Sequence, residues 1–150
     1  MRKRIAVYLI IAALLLCSCG ANPAKQDDKG VELGVRFEAV NVSAEGITLV
    51  VTHTPGAPIK EILYGNAYWL QRDCDGQWED VVPVSQETAY IWTTEAHALN
   101  RSGTTNIGIN WTTRFGELPP GHYRISKVLT GQLEGMREVN ETFYVEFDIP

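Results

Sequence analysis

The most informative stretch of this 150-residue chain is Leu118-Pro119-Pro120-Gly121-His122-Tyr123-Arg124-Ile125. Pro-Pro-Gly favours a tight turn, because proline fixes φ at about −65° and glycine tolerates positive φ. The turn brings Tyr123 to the start of a strand, in which Ile125 and the stem of Lys127 follow with a period of two. A tyrosine at such a corner can fold back so that its hydroxyl bonds the backbone just upstream. The segment therefore predicts a β-sandwich corner in which Tyr123 has a structural role.

Apolar and polar residues alternate at four further places, as they do in half-buried strands. The apolar positions of these strands are Val31, Leu33, Val35 and Phe37; Ile47, Leu49 and Val51; Ile107, Ile109 and Trp111; and Phe143, Val145, Phe147 and Ile149. Tyr68 and Leu70 indicate another strand. Asp73-Cys74-Asp75-Gly76 predicts a hairpin after it, because Asp-Gly tolerates positive φ, and residues 78–84 provide the return strand.

The middle of the chain is less regular. Residues 89–94 favour a strand, and residues 95–100 favour a helical turn. No segment carries a helical stripe for more than about two turns. About seven short strands separated by turn signals therefore predict an all-β protein, an antiparallel β-sandwich.

Four segments together resemble the bacterial Ig-like domain found in secreted and lipid-anchored proteins. They are the corner at 118–125, Tyr64-Gly65-Asn66-Ala67-Tyr68-Trp69-Leu70, Gly76-Gln77-Trp78, and Trp111-Thr112-Thr113-Arg114-Phe115-Gly116. The resemblance covers about residues 31–149 and departs from the family pattern at Gln71, usually an acid, and at Phe115, usually a tyrosine. It implies an immunoglobulin-like sandwich of about seven strands. The family has no assigned catalytic residues, so the resemblance implies none here.

The N-terminus has the features of a lipoprotein signal peptide. A basic segment, Arg2-Lys3-Arg4, precedes an apolar run over residues 5–16, which is about half the ~20 residues that a spanning helix needs. Leu16-Cys17-Ser18-Cys19 then resembles the lipobox of bacterial lipoproteins, in which the last cysteine is lipidated. We therefore expect a signal peptide at 1–18 and a lipid on Cys19. The protein would be extracytoplasmic, on the cell surface or the periplasmic face of a bacterial membrane.

A polar tether and an acidic domain follow the lipidated cysteine. Residues 20–30, GANPAKQDDKG, contain no large apolar side chain, so residues 19–30 read as a flexible tether and residues 31–150 as one folded domain. Without the three basic residues of the signal peptide, 10 basic residues face 18 acidic ones. This excess of about −8 disfavours nucleic acid and anionic lipid head groups as partners. The expected partners are the membrane, through the anchor, and an envelope protein or a cell-wall glycan.

Tryptophan side chains are the main candidates for ligand contact, because sugar rings stack on flat aromatic faces. Trp111 shares a face with Ile107 and Ile109, and Trp78 matches a core position of the family, so we expect both in the core. Trp69 is out of phase with Tyr68 and Leu70, and Trp92 lies in the irregular middle. Trp69 and Trp92 are therefore the candidates for a ligand-stacking patch.

The sequence offers no convincing catalytic or metal site. Asp73-x-Asp75-Gly76 opens like a calcium loop, but the twelfth position is Val84 rather than a bidentate Glu. The three histidines lack zinc-ligand spacing, so we expect neither a metal nor a cofactor. The aspartates beside Cys74 should raise the pKa of its thiol and make it a poor nucleophile.

The leading hypothesis is a non-catalytic, surface-tethered module that binds or positions another cell-envelope component. Its binding elements would be a sheet edge or the loops at 54–61, 95–105 and 130–138. A second hypothesis is a loop-inserting inhibitor of a secreted protease or wall hydrolase. A third is a carbohydrate-binding module that uses Trp69 and Trp92.

Overall fold

The computed structural model describes residues 33–54, 59–84, 92–133 and 138–150, which form two antiparallel β-sheets. The all-β sandwich is therefore confirmed, with nine strands and one helical turn in these residues rather than about seven strands. In chain order they are β1 (Val35–Val40), β2 (Gly46–His53), β3 (Ile59–Gly65), β4 (Trp69–Cys74), β5 (Gln77–Asp80), β6 (Ala96–Ala98), β7 (Gly103–Asn110), α1 (Thr112–Phe115), β8 (Gly121–Leu133) and β9 (Glu138–Ile149).

The smaller sheet has the strand order β1-β2-β7. Its register places Val51 opposite both Phe37 and Thr105, and Ile47 opposite Ile109. Because side chains alternate across a strand, this register directs the apolar residues of all three strands toward the second sheet.

The larger sheet is organised around the long strand β8. β9 pairs along one side of β8 from Gly121 to Gln132. On the other side, β4 pairs with residues 123–126, and β3 pairs with residues 129–133. The neighbour of β8 therefore changes from β4 to β3 around Lys127. β5 and β6 extend this sheet beside β4 and β3.

The core lies between the two sheets and is closed at one end by Trp111. The Trp111 side chain is fully buried, its ring stacks on Phe147 at a centroid distance of 5.8 Å, and its Nε1 donates a hydrogen bond to the Ala44 oxygen at 2.7 Å. Its predicted core position is confirmed. The hydrogen bond matters because an unpaired indole N–H would be costly at a buried site.

The corner strand has the geometry of a tyrosine corner. Tyr123 is 1 % exposed, and its hydroxyl donates a hydrogen bond of 2.8 Å to the Pro119 carbonyl oxygen, four residues upstream. The Tyr123 ring also stacks on Phe147, with centroids 6.0 Å apart. The bond ties the turn before β8 to the core.

Tyr123→Phe is expected to lower the free energy of unfolding by about 1 kcal/mol, because the Pro119 carbonyl loses its hydroxyl donor. Urea denaturation of both proteins measures the difference. Tyr144→Phe is the control, since Tyr144 lies on a partly exposed surface where water can replace a hydroxyl contact. Equal losses in the two variants would contradict a special role for the corner.

Four local predictions were wrong, and one of them is the return strand at 78–84, which ends at Asp80 in the structure. Leu33 was expected in the first strand but lies, buried, in a turn before β1, with Gly34 at a φ of 62°. Residues 59–61 belong to β3 rather than to a loop. A register shift between Ile59 and Glu61 interrupts the alternation of apolar and polar residues by which a strand is recognised in the sequence. Residues 96–98 are strand β6 rather than a helical turn, because they pair with β3.

The three candidate loops are correspondingly shorter. The structure assigns strands to residues 59–61, 96–98, 103–105, 130–133 and 138. Residues 55–58 and 134–137 lie outside the described residues, as do residues 1–32 with Cys19, the tether and Val31. The strand expected at 89–94 lies partly outside them too, and its described residues 92–94 are not in a strand.

Candidate binding face

The outer faces of the two sheets differ in composition. The smaller sheet turns charged, amide, hydroxyl and small aliphatic residues outward, among them Arg36, Glu38, Thr48, Val50, Thr52, Thr104 and Asn106. The larger sheet turns three aromatic residues outward, namely Trp69, Trp78 and Tyr144, with Arg124 among them. Trp69 is 47 % exposed, and the other three are half-buried. We call these four residues the aromatic face.

The phase of each strand is set by its buried residues. Leu70 in β4, Ile125 in β8 and Val145 in β9 are all buried in the core, so their chain neighbours point the other way. Trp69 and Tyr144 both lie opposite Ser126 in the register of the sheet. Two inter-strand spacings separate the backbones of Trp69 and Tyr144 by about 9.5 Å. Ser126 is only 9 % exposed, so the side chains around it leave little of it open to solvent.

The Arg124 guanidinium contacts the other two rings of the aromatic face, those of Trp78 and Tyr144. Its Cζ lies 4.5 Å from the centroid of the Trp78 ring and 4.8 Å from that of the Tyr144 ring. Its Nε donates a hydrogen bond of 2.6 Å to Gln71 Oε1, and Gln71 Nε2 donates one of 2.7 Å to Asp80 Oδ1. These contacts fix the orientations of Trp78 and Tyr144 before any ligand arrives, which reduces the ordering entropy that binding would cost.

One end of the aromatic face is acidic. His122 Nδ1 lies 2.7 Å from Asp148 Oδ1, and its Nε2 lies 3.5 Å from Glu146 Oε2. The hydrogen bond to Asp148 raises the pKa of His122 above its ordinary value, and Glu146 adds to the rise. The His122 ring also contacts Trp78, with centroids 5.5 Å apart.

Asp148→Asn is expected to lower the pKa of His122, which an NMR titration of the imidazole measures directly. Because the folded pKa is raised, the pair stabilises the fold below the unfolded pKa of about 6.5, and this contribution disappears as pH rises through the folded value. The contribution should not exceed about 1 kcal/mol, since the pair is solvent-exposed. An unchanged His122 titration in Asp148→Asn would contradict the assignment.

Trp69 and Trp92, the two residues predicted to form a stacking patch, line different clefts. Trp69 borders a cleft of about 190 Å³ with Val81, Pro83 and Phe115, whereas Trp92 borders one of about 230 Å³ with Asn66 and Lys127. The structure therefore does not bring them together in one cleft.

Trp92 packs more closely into the fold than Trp69 does. It is half-buried against the core, with its ring centroid 5.0 Å from that of Tyr68 in an edge-on arrangement. The Arg114 guanidinium lies 4.5 Å from the centroid of the Trp92 ring. Trp69 thus offers the more open ring.

Lys127 is the most deeply buried charged residue among those described, at 2 % exposure. Its Nζ donates hydrogen bonds to the carbonyl oxygens of Gly65 and, at 3.2 Å, Ala67. Gly65 ends β3 and Ala67 lies between β3 and β4, close to the point where β8 changes neighbours. Burial lowers the pKa of Lys127 to about 8. The Lys127 amine therefore supplies hydrogen bonds to two backbone carbonyls at the point where β8 has β4 on one side of Lys127 and β3 on the other.

Cys74 ends β4 in the predicted hairpin, which the structure confirms through the pairing of Cys74 with Gln77. Desolvation and the neighbouring Glu79 raise the pKa of its thiol, with a smaller contribution from Asp73. The described ranges hold no group of three His, Cys, Asp or Glu residues that could bind a metal ion. Among residues 33–54, 59–84, 92–133 and 138–150, no helix is long and apolar enough to cross a membrane.

Sequence reasoning missed most of the aromatic face. Trp78 was expected in the core but is half-buried on the outer face, because it pairs with Asp73, whose phase in β4 is opposite to that of buried Leu70. Tyr144 went unnoticed, although it is out of phase with Phe143 and Val145 in the same way that Trp69 is out of phase with its neighbours. That signal could have found it. The position of Arg124 between two rings depends on strand order, which the sequence does not reveal.

Comparison with known families gives one match over most of the chain. Residues 27–148 match a family model described as a bacterial Ig-like domain. No curated protein matches the chain.

Proposed function

Because the chain belongs to the bacterial Ig-like domain family, we propose that it is a non-catalytic binding module, tethered by lipid on Cys19, that binds or positions another component of the cell envelope. Ig-like sandwiches host many unrelated functions, so the proposal has to rest on the surface of this chain rather than on its fold.

The observation that carries the proposal is the asymmetry between the two sheets. A solvated sheet face ordinarily carries polar residues, as the smaller sheet does here. The larger sheet instead exposes Trp69 beside Tyr144, Trp78 and Arg124. Trp, Tyr and Arg are the residues that most often dominate binding energy at recognition surfaces. A preorganised cluster of these types is therefore better suited to binding a partner than to solvation alone.

The anchor hypothesis complements this surface. A lipobox, a polar tether and a compact domain would hold the aromatic face outside a membrane at short range from other envelope components. Confinement of both partners to one envelope raises their effective concentration, so a modest affinity would suffice.

In-cell chemical crosslinking of the tagged chain, followed by mass spectrometry, tests the proposal. We expect a recurring envelope component to be recovered with the wild type and to be lost from a Trp69→Ala, Tyr144→Ala double variant. A Thr48→Ala, Thr52→Ala variant of the smaller sheet is the matched control and should retain that component. If no component recurs with the wild type, the binding proposal is wrong.

The inhibitor hypothesis has no supporting observation in the described residues. Its loops are shortened by β3, β6, β7, β8 and β9, and residues 55–58 and 134–137 lie outside the described ranges. The carbohydrate-binding hypothesis does have a supporting observation, since Trp69 is 47 % exposed on the outer face of the larger sheet.

A further inference from the structure

We propose that the aromatic face binds an uncharged glycan chain, with Trp69 and Tyr144 stacking against sugar rings. This inference rests on the binding function proposed above and names its ligand class. The stacking pair is Trp69 and Tyr144, which lie on one surface, rather than the predicted pair Trp69 and Trp92. The larger sheet supplies a broad, gently twisted support for an extended ligand.

The face combines the two kinds of group that a sugar ring requires. A pyranose ring has apolar C–H faces that stack on aromatic rings, and hydroxyl groups around its rim that need hydrogen-bond partners. Trp69 and Tyr144 provide rings, while Asp80 and Glu146 provide carboxylate acceptors on the same outer surface. Arg124 and Gln71 provide planar donors and acceptors between them.

Spacing favours a chain of sugars over a single one. The backbones of Trp69 and Tyr144 lie about 9.5 Å apart, on either side of the small residue Ser126. Rings carried at backbone positions this far apart match consecutive units of a chain better than a single sugar ring. Affinity should therefore increase with chain length until both rings are covered.

Charge indicates which polymers fit. Four carboxylates, those of Asp73, Asp80, Glu146 and Asp148, share the outer surface with two cationic side chains, Arg124 and protonated His122. This acidic excess repels phosphate- or carboxylate-rich polymers. An uncharged hexose or N-acetylhexosamine chain meets no such repulsion.

A protein partner is the main competing ligand class, since Trp, Tyr and Arg also dominate protein interfaces. The centres of such interfaces are depleted of charged residues. Arg is an exception to this depletion, but Asp and Glu are not, and here Asp80 and Glu146 lie on the same strands as Trp78 and Tyr144. The mixture of rings and charges favours a hydroxyl-rich ligand.

Affinity measurements on the full chain, solubilised in detergent with its N-terminus intact, test the inference. The probes are soluble chito-oligosaccharides and cello-oligosaccharides of increasing length, followed by calorimetry or tryptophan fluorescence. We expect binding that tightens with length, and an approximately tenfold weaker affinity for Trp69→Ala and for Tyr144→Ala, the loss expected for one aromatic stack. Tyr144→Phe keeps the ring and should bind like the wild type. Thr48→Ala, on the other sheet, should bind unchanged.

Three outcomes would overturn the glycan inference. The first is that no neutral oligosaccharide binds, while the in-cell experiment still recovers a protein whose capture depends on Trp69 and Tyr144. In that case the proposed binding function is retained, and the ligand is a protein. Another is binding that Trp92→Ala abolishes in a folded variant but Trp69→Ala and Tyr144→Ala leave intact, which would place the site in the Trp92 cleft. The third is equal weakening by Tyr144→Phe and Tyr144→Ala, which would exclude stacking.

Discussion

Replacing Cys19 with alanine is expected to move the protein almost completely from the membrane fraction to the soluble extracytoplasmic fraction. The lipobox reading makes the Cys19 sulfur the site of lipid attachment. Each buried methylene of an acyl chain contributes roughly 0.8 kcal/mol, and two chains give stable anchoring whereas one does not. Loss of the acceptor sulfur therefore removes the anchoring energy that the two acyl chains contribute. Fractionation and metabolic labelling with a clickable fatty acid measure the result.

Cys17→Ala is the matched control for this experiment. Cys17 lies two residues before the proposed acceptor and would leave with the signal peptide, and alanine is a small residue that a lipobox accommodates. Cys17→Ala should therefore remain labelled and membrane-bound. Labelling that survives in Cys19→Ala, or that is lost in Cys17→Ala, would show that the acceptor had been misassigned.

The wild-type protein is expected to gain stability relative to Lys127→Met as pH rises from 8 toward 10. Lys127 has a pKa of about 8 in the fold, and an unfolded lysine has one of about 10.4. Between these values the unfolded chain binds more protons than the folded chain, so the free energy of unfolding increases with pH. The increase should amount to roughly 1–3 kcal/mol over this window.

The hydrogen bonds of Lys127 survive this deprotonation. A neutral amine keeps two N–H groups, one for each of the Gly65 and Ala67 carbonyls. Urea denaturation across the pH range measures the difference between wild type and Lys127→Met. Tyrosine titration affects both proteins alike and cancels in that difference. A difference that stays constant from pH 7 to pH 10 would contradict a buried, partly neutral Lys127.

Residues with a regular alternation were placed well from the sequence. Trp111 and Tyr123 were placed in the core correctly, because Tyr123 shares a face with Ile125 in β8, and Trp111 continues the buried face of Ile107 and Ile109 one residue after β7 ends. The period of two needs no knowledge of the partner strand. The turn at Asp75-Gly76 was equally accessible, since both residues have the positive φ that this dipeptide tolerates, 56° and 82°.

Features that depend on pairing were beyond the sequence. The three residues of β6 form a strand only because they lie beside β3, and tertiary pairing overrides their local preference. The alternation of β8 placed the stem of Lys127 on the core side, but the acceptors of its amine follow from the split between β3 and β4. The aromatic face, too, is assembled from four strands whose order no single segment encodes.

The most direct test of the central claim is site-specific photo-crosslinking in living cells from the two outer sheet faces. A photoreactive amino acid replaces Thr142, beside Tyr144 on the larger sheet, or Thr48 on the outer face of the smaller sheet. Both positions are half-buried threonines, so the two probes are comparable. Recurrent crosslinked adducts from position 142 and none from position 48 are the predicted result. Adducts from position 48 alone, or equal adducts from both, would contradict the assignment of the aromatic face as the recognition surface.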